Sequence, residues 1–202
     1  MFEPYILGIL WGIGRYVNEE RYPYFLLRHR ERYFLDVVRS VLNVPGEVFQ
    51  GASRTAPQYR LKIFHFDVSK LESLGWQPRI GEQRNYPATV KHRGFLRAYI
   101  EIHSTIDALI MRRREKARVA PRLRIYGNRN FLEDVTKVLA NETGVGIKRV
   151  QKATNISPGS GVLYYQSRKE LQILYEYIYF TGVGHYHQGY YDKFTDLLQT
   201  IK

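Results

Sequence analysis

The 202-residue chain has no cysteine, few acids and no long apolar run. Without cysteine there is no disulfide scaffold, no thiolate zinc site and no thiol nucleophile. Its 19 Asp and Glu stand against 31 Lys and Arg, a formal net charge of +12. An excess of that size attracts phosphate backbones and disfavours self-association. No stretch reaches the roughly 18 apolar residues of a membrane span. The apolar run from Tyr5 to Ile13 follows Glu3, lacks a basic leader and soon meets Arg15, so it is not a signal peptide either. Also missing is a Gly-Lys-Ser/Thr after the Pro-Gly and Ser-Gly turn at 155–161, which excludes a P-loop. No strand precedes Gly8, Gly12 and Gly14, so these are no dinucleotide fingerprint. These absences predict a soluble cytoplasmic protein with no membrane partner and no small-molecule substrate.

What is present is an ordinary globular composition, 44% hydrophobic and 25% charged, enough to bury a core. Divided at Gly94, the halves carry net charges of +5 and +7, so the basic excess is shared and not a tail. The halves also resemble each other. Phe34, Leu35, Val38, Val41 and Leu42 recur as Phe131, Leu132, Val135, Val138 and Leu139 at a constant offset of 97. That spacing is one apolar face of a helix. Alternating, strand-like runs precede each copy, 22–30 and 121–126. Two more strands are expected after each, 47–54 with 58–64 and 146–153 with 161–166, and then a second helix, 69–74 and 168–180. The predicted order is helix, strand, strand, helix, strand, strand, helix, twice. A short helix over 190–201 falls outside the repeats.

The strands supply the clearest physical clue. In the runs 59–63 and 121–125 basic and apolar residues alternate, so Arg60 and Lys62 share one face while Leu61 and Ile63 share the other. Arg122 and Arg124 stand likewise against Leu123 and Ile125, and Arg28 and Arg30 share a face. A sheet with one basic face and one helix-packed face is suited to lying on DNA. Arg54, Arg113 in the dense basic run 112–118, and Lys148 with Lys152 complete the expected DNA-binding set. In 146–152 the face with Lys148 and Lys152 is favoured over that with Arg149 and Gln151, although Gln151 can pair with adenine if a twist reorients it. His185 and His187 are read as part of a loop and not as a metal site.

Each half opens on an apolar helix, 5–14 and 95–105, with small residues Gly8 and Gly12 in the first and Ala98 matching Gly8 in the second. These helices, with the passages 74–79 and 84–87 between them, resemble the signature helices and inter-repeat segment of the single-chain LAGLIDADG homing endonucleases. The resemblance runs over residues 5 to 180. It implies an α+β protein of two pseudo-symmetric αββαββα repeats forming a DNA-binding saddle: repeat 1 at 1–80, a linker at 81–94, repeat 2 at 95–181 and a tail at 182–202. It also implies an acidic metal ligand at the end of each signature helix. Matched residue by residue, those positions hold Ile13 and His103. Ile13 ligates nothing, and His103 is a poor partner for Mg²⁺, which prefers carboxylates and water. Glu101 matches an earlier acidic position and is the weak catalytic candidate; Glu3 or Glu101 would have to move for one metal to be held.

The reading is therefore a sequence-specific duplex-DNA-binding protein without cleavage, cofactor or metal, a monomer on an asymmetric site and nucleoid-associated; the resemblance to degenerate relatives implies a regulator. Two alternatives stay open: a site-specific endonuclease using Mg²⁺, and an RNA-binding splicing maturase.

Overall fold

The computed structural model describes residues 2–18, 21–51, 57–78, 84–113, 116–153, 159–180 and 182–200, with the backbone alone at 111–113, 116–118 and 200. The chain packs as two compact units, Met1–Ile102 and His103–Lys202.

The first unit opens on α1 (Pro4–Ile13), whose start is fixed by proline in its first turn and by the Glu3 carboxylate, which accepts from the amides of Tyr5 and Ile6 at 3.3 Å each. Every residue from Tyr5 to Ile13 is buried, as an all-apolar helix requires. β1 (Gly14–Val17), β2 (Tyr24–His29), α2 (Tyr33–Val41), β3 (Phe49–Gly51), β4 (Gln58–Phe64), α3 (Ser69–Glu72) and α4 (His92–His103) follow. The strands form an antiparallel sheet in the order β1-β2-β4-β3. Phe34, Leu35 and Val38 of α2 are buried with Phe25, Leu27, Leu61 and Ile63 of the sheet. Val41 drops out of the expected apolar face and is exposed, because α2 ends there and the chain turns at Asn43, where φ is 50°.

The second unit repeats the order: β5 (Ser104–Arg113), β6 (Lys116–Asn128), α5 (Arg129–Thr143), β7 (Gln151–Lys152), β8 (Ser160–Tyr165), α6 (Arg168–Ile178), and then α7 (Gln188–Thr200). Its antiparallel sheet runs β5-β6-β8-β7, the same topology as the first. Phe131, Leu132, Val135 and Leu139 of α5 are buried with Leu123, Ile125, Leu163 and Tyr165. The mixed α+β class and both αββαββα sequences are as expected from the repeat. Of the 112–118 run, residues 112–113 and 116–118 belong to the paired strands β5 and β6. α7 begins where His187 accepts from the Tyr190 amide through both its carbonyl and Nδ1.

The sequence repeat restarts at 95, yet the compact units divide at 102/103. The reason is that α4 packs on α1: a Cβ on Gly8 would sit 2.6 Å from the Phe95 carbonyl oxygen and 2.7 Å from the Ala98 Cβ. Several expected elements are shorter or shifted relative to the sequence patterns. Of the described residues in 47–54, only 49–51 are strand; in 146–153, only 151–152; α3 stops at 72, and α4 gives way to β5 at 104.

Candidate nucleic-acid interface

Pairing register decides which side chains share a face, since residues directly opposite in an antiparallel pair point the same way. In the first sheet Arg15, Leu26 and Lys62 form one cross-strand row, and Arg28, Arg60 and Phe49 form another. Leu27, Leu61 and Ile63 take the opposite, helix-packed face and are buried. Arg15, Arg28, Arg60 and Lys62 thus lie together, with no acid among the described strand residues of that face. The Arg28 Nε donates to Gln58 Oε1 at 2.6 Å, and the Lys62 ammonium lies 4.3 Å from the centre of the Tyr24 ring. Arg60 Nε is buried without a hydrogen-bond partner. Arg15 was not expected; it follows directly on α1, in a strand too short to show alternation. Arg30 lies one residue beyond β2, exposed. Arg54 and the side chain of Arg113 lie outside the described residues.

In the second sheet Arg122, Arg124 and Tyr126 share a face with Asp107, Thr105, Tyr164, Val162 and Gln151. The two arginines converge on one carboxylate. Arg122 donates through Nε and Nη2 to Asp107 at 2.8 and 2.9 Å, and Arg124 donates through Nη2 at 2.6 Å. The hydrogen bond from Arg122 is the chief reason that the Asp107 carboxyl titrates below its usual range. Asp107 escaped the sequence reading because its cross-strand partner becomes visible only once the β5 register is known.

Lys148 and Lys152 are not brought together on this face. Val150 is buried, and residues 145–150 run outside the ladder. Lys148 donates its amide to Thr136 Oγ1 at 2.8 Å and its ammonium to Glu170 Oε1 at 2.6 Å. Lys152 pairs with Gly161, where an added Cβ would meet Val150 and Leu132, so its register position is on the helix side. Gln151, the less favoured residue, is the one on the face of Arg122 and Arg124.

The ends of the two signature helices do not fit a divalent metal. Ile13 is buried. The guanidinium of Arg84 occupies the carbonyls at that end of α1, donating Nη1 to the Trp11 oxygen and Nη2 to the Gly14 oxygen at 2.6 Å, while its Nε donates to the Gln77 oxygen at 2.9 Å. Trp76 lies under it, 4.5 Å from ring centre to guanidinium carbon. Burial lowers its pKa to about 10, so Arg84 stays charged at neutral pH. Glu101 is buried and accepts from the Tyr5 hydroxyl at 2.6 Å. Burial, and then the Glu101 charge, raise the Tyr5 pKa far above that of a free phenol. Glu3 is fixed at the opposite end of α1 as its N-cap. His103, half-buried, closes α4. Among the described residues no group of three or more His, Asp or Glu could hold a metal ion.

Solved structures with the same architecture identify the fold. The meganuclease I-SmaMI bound to uncleavable DNA superimposes with a TM-score of 0.69 over 99% of this chain and 89% of its own, at 7% identity. The homing endonuclease I-LtrWI bound to target DNA gives 0.68 over 98% and 89%, at 10% identity. I-AabMI, bound to uncleaved DNA, gives 0.66 over 99% and 90%, also at 10%. This is a single-chain LAGLIDADG fold. No family model and no curated protein matches the chain by sequence. In LAGLIDADG terms α1 and α4 are the signature helices, and the sheets with Arg60 and Arg122 are its two sheets.

Proposed function

We propose that the protein binds duplex DNA sequence-specifically, as one chain, through the basic faces of its two sheets, and leaves the phosphodiester backbone intact. The observation that carries this reading is the register: Arg15, Arg28, Arg60 and Lys62 share one sheet face, on a fold whose solved examples include DNA-bound meganucleases. Cations on a sheet face contact phosphates and fix the protein's position, while neighbouring polar groups read base edges. Gln151, on the face of Arg122 and Arg124, is the candidate for the second task, because a glutamine amide can pair bidentately with adenine.

The absence of cleavage is supported by chemistry. A metal-assisted hydrolysis needs oxygen ligands that generate and orient a nucleophile. At the end of α1 an apolar residue and a guanidinium stand in the place of an acid, and Glu101 is engaged by Tyr5. A biological role follows from binding without cutting: occupation of a site, as a regulator would use it.

The test is a selection from random duplexes, followed by incubation of a supercoiled plasmid carrying the selected site with Mg²⁺ or Mn²⁺. A recovered long, asymmetric site and an unnicked plasmid are expected. Nicking that vanishes in Glu101→Gln would overturn the non-cleaving reading. Tighter binding to structured RNA than to the duplex would replace it with a maturase-like one.

A further inference from the structure

At one edge of the first unit a pocket of about 330 Å³ is lined by Tyr16, Tyr22, Pro23, Phe64, His65 and Phe66. Its volume lies at the small end of ligand sites. The aromatic walls are arranged by the backbone. His65 adopts φ 56°, in the left-handed region that non-glycine residues seldom occupy. Phe64, His65 and Phe66 all line the pocket around this turn. Phe66 is held from behind by Phe25, at a ring separation of 4.4 Å, and by Phe2, stacked at 6.0 Å. Phe64 leans on Tyr24 at 5.7 Å. Tyr22 and Phe64 are 63% and 52% exposed, so both rings offer a face to a ligand. Two cations lie beside the walls: the Arg21 guanidinium is 5.5 Å from the Tyr22 ring centre, and the Lys62 ammonium lies over Tyr24, the ring that Phe64 leans on.

From this geometry we infer that the pocket is a binding site for one unpaired nucleobase, which stacks on the exposed aromatics while Arg21 and Lys62 take its phosphate. Aromatic platforms next to cations are the general means of holding unstacked bases. A flat heterocycle with an attached anion matches both the walls and the two cations; an aliphatic group matches only the walls. The base can come from a nucleotide everted out of a duplex or from a single-stranded end, and the chemistry of the pocket is the same for both. The inference goes beyond the proposed duplex binding, and it stands or falls separately from it.

The experiment uses the full chain and DNA carrying the fluorescent adenine analogue aminopurine in three settings: paired within a perfect duplex, as a single-nucleotide bulge, and in a single-stranded overhang. Stacking in the pocket quenches the probe and tightens binding of the bulged or overhanging DNA by about tenfold over the perfect duplex, the scale of one base–aromatic stack. Tyr22→Leu, which keeps an apolar side chain at an exposed position but removes the ring, abolishes both effects and leaves perfect-duplex affinity unchanged. Tyr22→Phe retains both. Quenching with the bulge alone assigns an everted base, and with the overhang alone a strand end. No quenching in either setting, or equal quenching in Tyr22→Leu, overturns the inference. Quenching by the overhang without any binding to perfect duplexes would leave this site standing and refute the duplex reading.

Discussion

At the scale of single residues, Arg84 and the pair Arg122 and Arg124 spend their charge in opposite ways. Arg84 spends all three of its donor nitrogens on backbone carbonyls, two of them at the end of α1, where unsatisfied C=O groups and the negative pole of the helix dipole accumulate. Removing it leaves those carbonyls buried without partners, so Arg84→Ala is expected to lower stability by about 3 kcal/mol, read by urea unfolding. Arg84→Lys should recover little, because a single ammonium cannot span three divergent acceptors. Asp107, by contrast, withdraws charge from a surface face by binding Arg122 and Arg124. Asp107→Asn is expected to release both arginines and tighten DNA binding severalfold at low salt. The same substitution bears on acid stability. The folded-state pKa of Asp107 is depressed, so its contribution to stability is present above the ordinary carboxylate range and is lost as pH falls through the folded value. Thermal melts should therefore show a smaller loss on acidification in Asp107→Asn than in the unaltered chain. The difference should be about 1 kcal/mol or less, because the pair is partly solvated.

At the scale of elements, helices and long strands were legible and short strands were not. α2 and α5 declared themselves through a five-position apolar pattern repeated at constant offset, and β4 and β6 through strict alternation of basic and apolar residues. β1, four residues long, offers no alternation to count, and so Arg15 was missed. The segment before β7 alternates like a strand, but its backbone amides go elsewhere: Gly146 to the Glu170 carboxylate at 3.2 Å and Lys148 to the Thr136 hydroxyl. Tertiary side-chain acceptors there replaced the ladder, and they carried Lys148 off the sheet face with them. The small residues of the signature helices were legible as a close approach, and the packing is tight enough to be tested. Gly8→Ala places a methyl group within 2.7 Å of both the Phe95 carbonyl oxygen and the Ala98 Cβ. It should destabilise the protein by about 1–3 kcal/mol, measurable as a lowered Tm, whereas Gly184→Ala, with nothing within 4 Å of the added Cβ, should not.

For the molecule as a whole, the near-equal division of charge between the sequence halves conceals an asymmetry between the two sheets. The first presents Arg15, Arg28, Arg60 and Lys62 without an acid on the described part of that face, whereas in the second Arg122 and Arg124 share Asp107. The difference is invisible in net charge, because most acids of the second half lie on its helices, where some pair with cations. Glu133 pairs with Arg129, and Asp134 with Lys137. If phosphate contacts dominate affinity, the slope of log K against log salt counts the cations that reach the backbone. Arg60→Ala should reduce that slope by about one. Arg124→Ala should reduce it by clearly less, because its charge is already shared with a carboxylate, and in an Asp107→Asn background the same substitution should regain the full effect. Binding titrations across a salt series on the selected duplex check all three values. Equal slopes for Arg60→Ala and Arg124→Ala in the unaltered background would mean that the Asp107 ion pairs open on DNA, and that the two sheets contribute equally to the electrostatics of binding.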